Sequence, residues 1–176
     1  MTRQASRGLS IAPLLLAVVG LELSVASSEA GALVDPAMLV TKADVEAVLG
    51  AAVKDPKVTT NPMGQKTVFY SPAAEGTKVR YVQISLNQTA AMPERMTKNG
   101  MSAPRLFADT AKMLSDLKEV PGLGDKAFWG GSGLKPGAGL HVLKGHAYFA
   151  VDVALGNEQA CRQAAEKLAR QALSRM

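Results

Sequence analysis

One cysteine, two histidines, one tryptophan, three tyrosines and four phenylalanines are all that 176 residues provide of these types. Each scarcity excludes something. A lone Cys161 cannot close an internal disulfide, so packing must hold the fold. Two histidines leave few routes to acid–base catalysis, and neither a G-x-S-x-G nor an H-E-x-x-H motif occurs. The 20 basic residues outnumber the 15 acidic ones, giving a net charge of +5. They form no run of five like charges and are not interleaved with aromatics, so nucleic acid is not an expected partner. Long apolar runs are missing as well. The best, Leu9 to Leu21, is broken by Ser10, Pro13 and Gly20 and followed by Glu22, whereas a membrane span needs ~20 apolar residues.

What surrounds that run is informative. Arg3 and Arg7 precede it, and the small-residue stretch Ala26-Ser27-Ser28-Glu29-Ala30-Gly31-Ala32 follows. A positive start, a short apolar middle and a small-residue end describe a secretory signal peptide over residues 1–32, cleaved after Ala30 or Ala32. The expected location is periplasmic or secreted, with no integral span after cleavage. No cysteine lies near the cleavage site, so attachment through a lipidated cysteine is not expected. Residues 33–176 are the size of one domain, large enough to bury about two-thirds of the unfolded surface.

Within that domain the pattern predicts helices over 41–50, 102–117 and 157–173. Thr41 with Asp44 forms a capping box, Ser102 and Asn157 are further N-caps, and Gly50 ends the first helix. Strands are predicted over 66–70, 79–86, 126–129, 140–143 and 146–154, from period-two alternation bounded by turn residues. The order α-β-β-α-β-β-β-α implies an α+β fold, a single curved antiparallel sheet with helices packed on one face. Cys161 falls on the apolar stripe of the last helix and reads as a small buried hydrophobe.

The stretch Val120-Pro121-Gly122-Leu123-Gly124-Asp125-Lys126-Ala127-Phe128-Trp129-Gly130-Gly131 contains a GxG. Phosphate cradling needs a helix N-terminus directly after such glycines, and a strand follows here instead. It is read as a helix-to-sheet corner, with Phe128 and Trp129 pointing to opposite faces. Together with the strand Leu140-His141-Val142-Leu143-Lys144-Gly145-His146-Ala147-Tyr148-Phe149-Ala150-Val151, the Ala-rich last helix and Val48-Leu49-Gly50, the stretch resembles a group of small exported bacterial α+β domains of unknown function, many of them lipoproteins. The resemblance covers about Leu39 to Leu173 and rests on turn and core positions. It implies fold and location, carries no catalytic residue, and suggests an analogy with sensor domains or accessory subunits. The chain departs from the group in lacking the lipid-anchor cysteine and the cysteine pair, since Val68 and its neighbours are not Cys.

If Lys144-Gly145 is a two-residue turn, Leu143 faces His146 and His141 faces Tyr148. His141, Leu143, His146, Tyr148 and Asp152 then share the non-core side, opposite Val142, Phe149, Val151 and Val153. The two histidines would lie roughly 6–8 Å apart. The expected ligand-binding surface is this wet face: Tyr81, Gln83, His141, His146 and Tyr148. The expected function is an exported, non-enzymatic binding or accessory domain of the cell envelope. Its partner would be an envelope protein or a small ligand, with no cofactor. The alternative is periplasmic copper handling through Met92, Met96 and Met101, whose thioethers suit Cu(I), with His141 and His146.

Overall fold

Side-chain oxygens start the helices. Asp35 accepts from the Ala37 amide at 2.9 Å and opens α1, Pro36–Leu39. Thr41 and Asp44 form the expected capping box at the start of α2, Lys42–Leu49, and Gly50 closes it in the left-handed region. Val40 and Val45 are both buried across that cap, as a hydrophobic staple requires. Ser102 caps α4, Ala103–Lys112, and Asn157 caps α5, Glu158–Leu173. The short α3, Glu94–Lys98, has no side-chain cap. These elements come from a computed structural model that describes residues 33–74, 76, 79–133, 135 and 137–176. The expected signal peptide over 1–32 lies outside the described residues. Among them, no helix is long and apolar enough to cross a membrane.

The seven strands are β1 Lys57–Thr60, β2 Lys66–Tyr70, β3 Tyr81–Gln88, β4 Lys118–Glu119, β5 Lys126–Trp129, β6 Leu140–Lys144 and β7 Ala147–Ala154. They form one antiparallel sheet in the order β1-β2-β3-β7-β6-β5-β4. The single antiparallel α+β sheet is therefore as expected. Its inner face carries Val82, Ile84 and Leu86 of β3 beside Val153, Val151 and Phe149 of β7. Against them lies the Ala-rich stripe of α5, with α1 and α2 alongside. Burying one Leu or Phe in such a layer stabilises by about 1.5–3 kcal/mol. Cys161 belongs to this layer, and its Sγ accepts from the Leu155 amide at 3.3 Å.

The helices do not all share that face. Phe107 of α4 packs on Phe128 and Tyr148, whose side chains leave the sheet on the opposite side, and forms a second apolar cluster with Met92 and Ala103. The sheet is thus sandwiched over β5–β7. The strand pattern explains the difference. In β5, Ala127 and Trp129 face inward while Phe128 faces outward, so apolar surface must be covered on both sides. Phe128 and Trp129 do point opposite ways, and each closes a core of its own.

Three further elements differ from expectation. Residues 57–60 form an edge strand where no strand was predicted; all four are exposed, so no burial alternation marks them. Helix α4 stops at Lys112, short of Leu114 and Leu117, ahead of the turn formers Ser115 and Asp116. The β6–β7 register is Leu143↔Tyr148 and Lys144↔Ala147, so the turn residues are Gly145 and His146, not Lys144 and Gly145. Gly145, with φ +53°, takes the first central position, where a hairpin turn of the II′ kind demands glycine. Asp125 accepts from the Gly145 amide at 2.6 Å and from Lys144 Nζ at 3.2 Å. The GxG corner thereby clamps the hairpin tip. Gly124 lies so near it that a Cβ would come within 2.4 Å of the Leu143 carbonyl oxygen.

The ends of α5 and α2 are tied by a fork. Arg175 donates to both carboxylate oxygens of Asp44, and Gln171 Nε2 donates to Oδ1 at 3.1 Å. The Arg175 guanidinium first, then the Thr41 amide and hydroxyl, hold the Asp44 carboxyl down from 3.8 to about 2. A depressed carboxylate stabilises the fold above the unfolded value of 3.8 and loses that contribution as pH falls toward 2. Arg175→Ala should therefore raise the pH midpoint of acid unfolding followed by circular dichroism. An unchanged midpoint would show that the fork does not couple to folding.

Candidate functional site

The outer face of the sheet is covered only in part. Helix α4 sits over β6 and β7, while among the described residues no helix packs extensively on the outer side of β2 and β3. Between the two regions runs a cleft of about 790 Å³. Its floor is Gln83 and Ser85 of β3 beside Asp152 and Ala150 of β7, paired residue for residue. One wall is Phe69 of β2 with Tyr81, their rings stacked at 5.5 Å. The other is Thr110, Met113 and the 130–139 loop.

That loop is shaped by glycine. Its base closes through Gly130 N–H to the Gly139 carbonyl at 2.9 Å and Gly139 N–H to the Gly131 carbonyl at 2.8 Å. At Gly130 a Cβ would fall 1.8 Å from the Gly137 oxygen, so no side chain fits there. His141 fastens the loop to the sheet. Its Nε2 lies 2.9 Å from the Gly137 carbonyl oxygen, which can only accept, so Nε2 carries the hydrogen. Burial pushes the imidazole pKa down, which favours the neutral ring. In that tautomer Nδ1 accepts from the Tyr148 hydroxyl at 2.7 Å. The ring stacks on Phe128 at 4.6 Å. Both nitrogens are thus used within the protein. Burial raises the Tyr148 pKa, so its phenol keeps the proton it donates.

Asp152 is the other ionisable group of the floor. Tyr81 donates its hydroxyl to Oδ2 at 2.8 Å, while Oδ1 is buried and meets no donor. Burial raises the Asp152 carboxyl above 3.8, against the lowering effects of the Tyr81 hydroxyl and the Val153 amide.

Of the five residues expected to form a binding surface, Tyr81, Gln83, His141 and Tyr148 do line one cleft. They do not form an open, wet face: Tyr81 is 6 %, His141 4 % and Tyr148 6 % exposed. At His141 and Tyr148 the cause is α4 and the glycine loop, which cover what alternation alone leaves to solvent, and at Tyr81 it is the stacked Phe69 ring beside Asp152. His146 is separate. It stands exposed at the hairpin tip, about 10 Å along the strand from His141 rather than beside it. The one-residue move of the turn shifts the pairing by two, which preserves each residue's face but makes Tyr148 the diagonal neighbour of His141.

The residues considered for copper are distributed differently. Met92 is buried in the outer cluster with Met101 packed against it, and both His141 nitrogens are engaged. Among the described residues no three of His, Cys, Asp and Glu converge as a metal site.

Phe69, Ser85, Thr110, Met113 and Asp152 complete the cleft, although the sequence did not single them out as site residues. Asp152 had a signal, being the one charge inside the apolar run Phe149-Ala150-Val151-Asp152-Val153. Thr110 and Met113 had none, because they reach the cleft only through the placement of α4. A second hollow, about 730 Å³, lies between α4 and the GxG corner and is lined by Phe107, Leu117, Leu123 and Leu143. No protein-family model, curated protein or solved structure matches the chain.

Proposed function

We propose that the protein is an exported, non-enzymatic binding or accessory domain of the bacterial envelope, and that its ligand seat is the cleft on the outer face of the sheet. The observation that carries this reading is a cleft of about 790 Å³ in which stacked aromatic rings face polar side chains on rigid strands. Ligand sites are typically concave, largely preformed and lined by apolar surface with a few placed polar groups. Tyr81 and Gln83 offer direct contacts. His141 and Tyr148 act mainly by holding the loop that forms the far wall. The signal-like segment over 1–32 and the resemblance to small exported domains support the envelope assignment.

The test is native mass spectrometry of the protein after incubation with a small-molecule extract of bacterial envelopes. Ser85→Phe, which places a ring on the cleft floor, should abolish any adduct that the wild type retains, with melting temperature nearly unchanged. An adduct retained equally by both proteins, or no adduct at all, refutes the cleft as a ligand seat. Fusing residues 1–32 to a reporter that is active only after export tests the location separately.

A further inference from the structure

We propose that the cleft takes a cationic, ammonium-bearing ligand, with Asp152 as its counter-charge and Phe69 and Tyr81 as its aromatic flank; this rests on the reading of the cleft as a ligand seat. The argument begins with a missing partner. A carboxylate withdrawn from water is normally paired with a cation or fully hydrogen-bonded, because its desolvation is otherwise uncompensated. The buried part of Asp44 follows that rule through Arg175, Gln171 and Thr41. Asp152 does not. Its carboxylate has the Tyr81 hydroxyl on Oδ2 and, with a smaller effect, the adjacent Val153 amide, no lysine, arginine or histidine within salt-bridge distance among the described residues, and a solvent-inaccessible Oδ1 that meets no hydrogen-bond partner.

The surroundings narrow the ligand. Ser85 and Ala150 are the short side chains of the floor and leave the cleft open beside Asp152, whose accessible part faces it while Oδ1 itself is closed to solvent. Phe69 and Tyr81 stack on the same wall, and aromatic faces beside a carboxylate favour an ammonium group through cation–π attraction. The remaining charge on the lining is Lys135, on the exposed rim, where solvent screens its repulsion. A compact organic cation is therefore a better complement than an anion.

The experiment titrates the full chain with choline and with cadaverine, following backbone amides by NMR and heat by calorimetry. Two controls share the shape or the setting without the positive charge: 3,3-dimethylbutan-1-ol, a neutral isostere of choline, and methyl phosphate. At least one amine should shift the amides of Gln83, Ser85 and Asp152, while the neutral isostere binds at least tenfold more weakly. Asp152→Asn should weaken the amine at least tenfold and leave the spectrum folded. Ser85→Phe gives a second reading independent of position 152, and should also abolish amine binding. Failure of both amines to bind, equal binding of the neutral isostere, or amine binding indifferent to Asp152→Asn each overturns the proposal. Binding of methyl phosphate or the alcohol alone at the same amides also overturns it, yet leaves the cleft standing as a ligand seat. Silence of those amides toward all four probes, joined with a negative envelope-extract experiment, removes both.

Discussion

Trp129→Ala is expected to cost about 3–5 kcal/mol, lowering the melting temperature by roughly 10–15 °C. Trp129 is the largest fully buried side chain among the described residues and sits in the inner core beside Leu140 of β6. Its indole N–H also reaches toward Glu158 Oε1, at 3.4 Å, in the first turn of α5. Removing it opens a cavity between sheet and helix that short α5 residues such as Ala164 and Ala165 cannot fill. Thermal melting by circular dichroism measures the loss. Phe69→Ala is the comparison, since Phe69 is only half-buried on the cleft wall and its loss should cost much less. Equal losses would mean that the inner layer is not the main source of stability.

The second large effect is at His141. His141→Ala removes the stack on Phe128, leaves the Gly137 carbonyl without its side-chain donor, and leaves the Tyr148 hydroxyl only the long 3.4 Å bond to Thr110 Oγ1. Losing a partner at a buried polar group costs about 1–3 kcal/mol, and with Gly137 only part-buried and Thr110 still beside the phenol a total of about 1–3 kcal/mol is expected. Hydrogen exchange should also speed up at the amide of Gly139, whose bond to Gly131 closes the loop base. The effect carries a pH signature. The buried imidazole has its pKa lowered from 6.5, so just below pH 6.5 the unfolded chain binds more protons than the folded one. Stability from keeping this ring neutral is complete above 6.5 and declines as pH falls below it. The charged groups facing the same cleft are Asp152 and Lys135, and both remain in the variant. The difference in melting temperature between wild type and His141→Ala should therefore shrink from pH 7.5 to pH 5.5. A constant difference would show that the ring is not held neutral by burial.

Much of the fold was legible because its signals are local. The Thr41–Asp44 box, the Ser102 and Asn157 caps and the Gly50 stop each act within one helical turn, and all appear where expected. Alternation in β3 and β7 assigned the inner residues to the inner face, and the corner at Gly122-Leu123-Gly124 is a corner. The edge strand β1 was missed because an exposed strand has no buried side to imprint on the sequence. The hairpin turn was misplaced by one residue because Lys144-Gly145 and Gly145-His146 both offer a glycine; the bond from Asp125, twenty residues away, is consistent with the second.

The site was legible only in outline. Parity alone put Tyr81, Gln83, His141, Tyr148 and Asp152 on one side of the sheet. Whether that side met water depended on α4, whose Phe107 could have joined either apolar layer.

The chain by itself determined which residues begin helices, which alternate and which face each side chain takes, since these follow from backbone geometry over a few residues. Only the tertiary structure decided that α4 crosses to the outer face, that His141 pins a loop rather than meeting solvent, and that Asp152 lies on a cleft floor with an unanswered oxygen. Those outcomes depend on how distant apolar surfaces cover one another, and local periodicity carries no record of the partner.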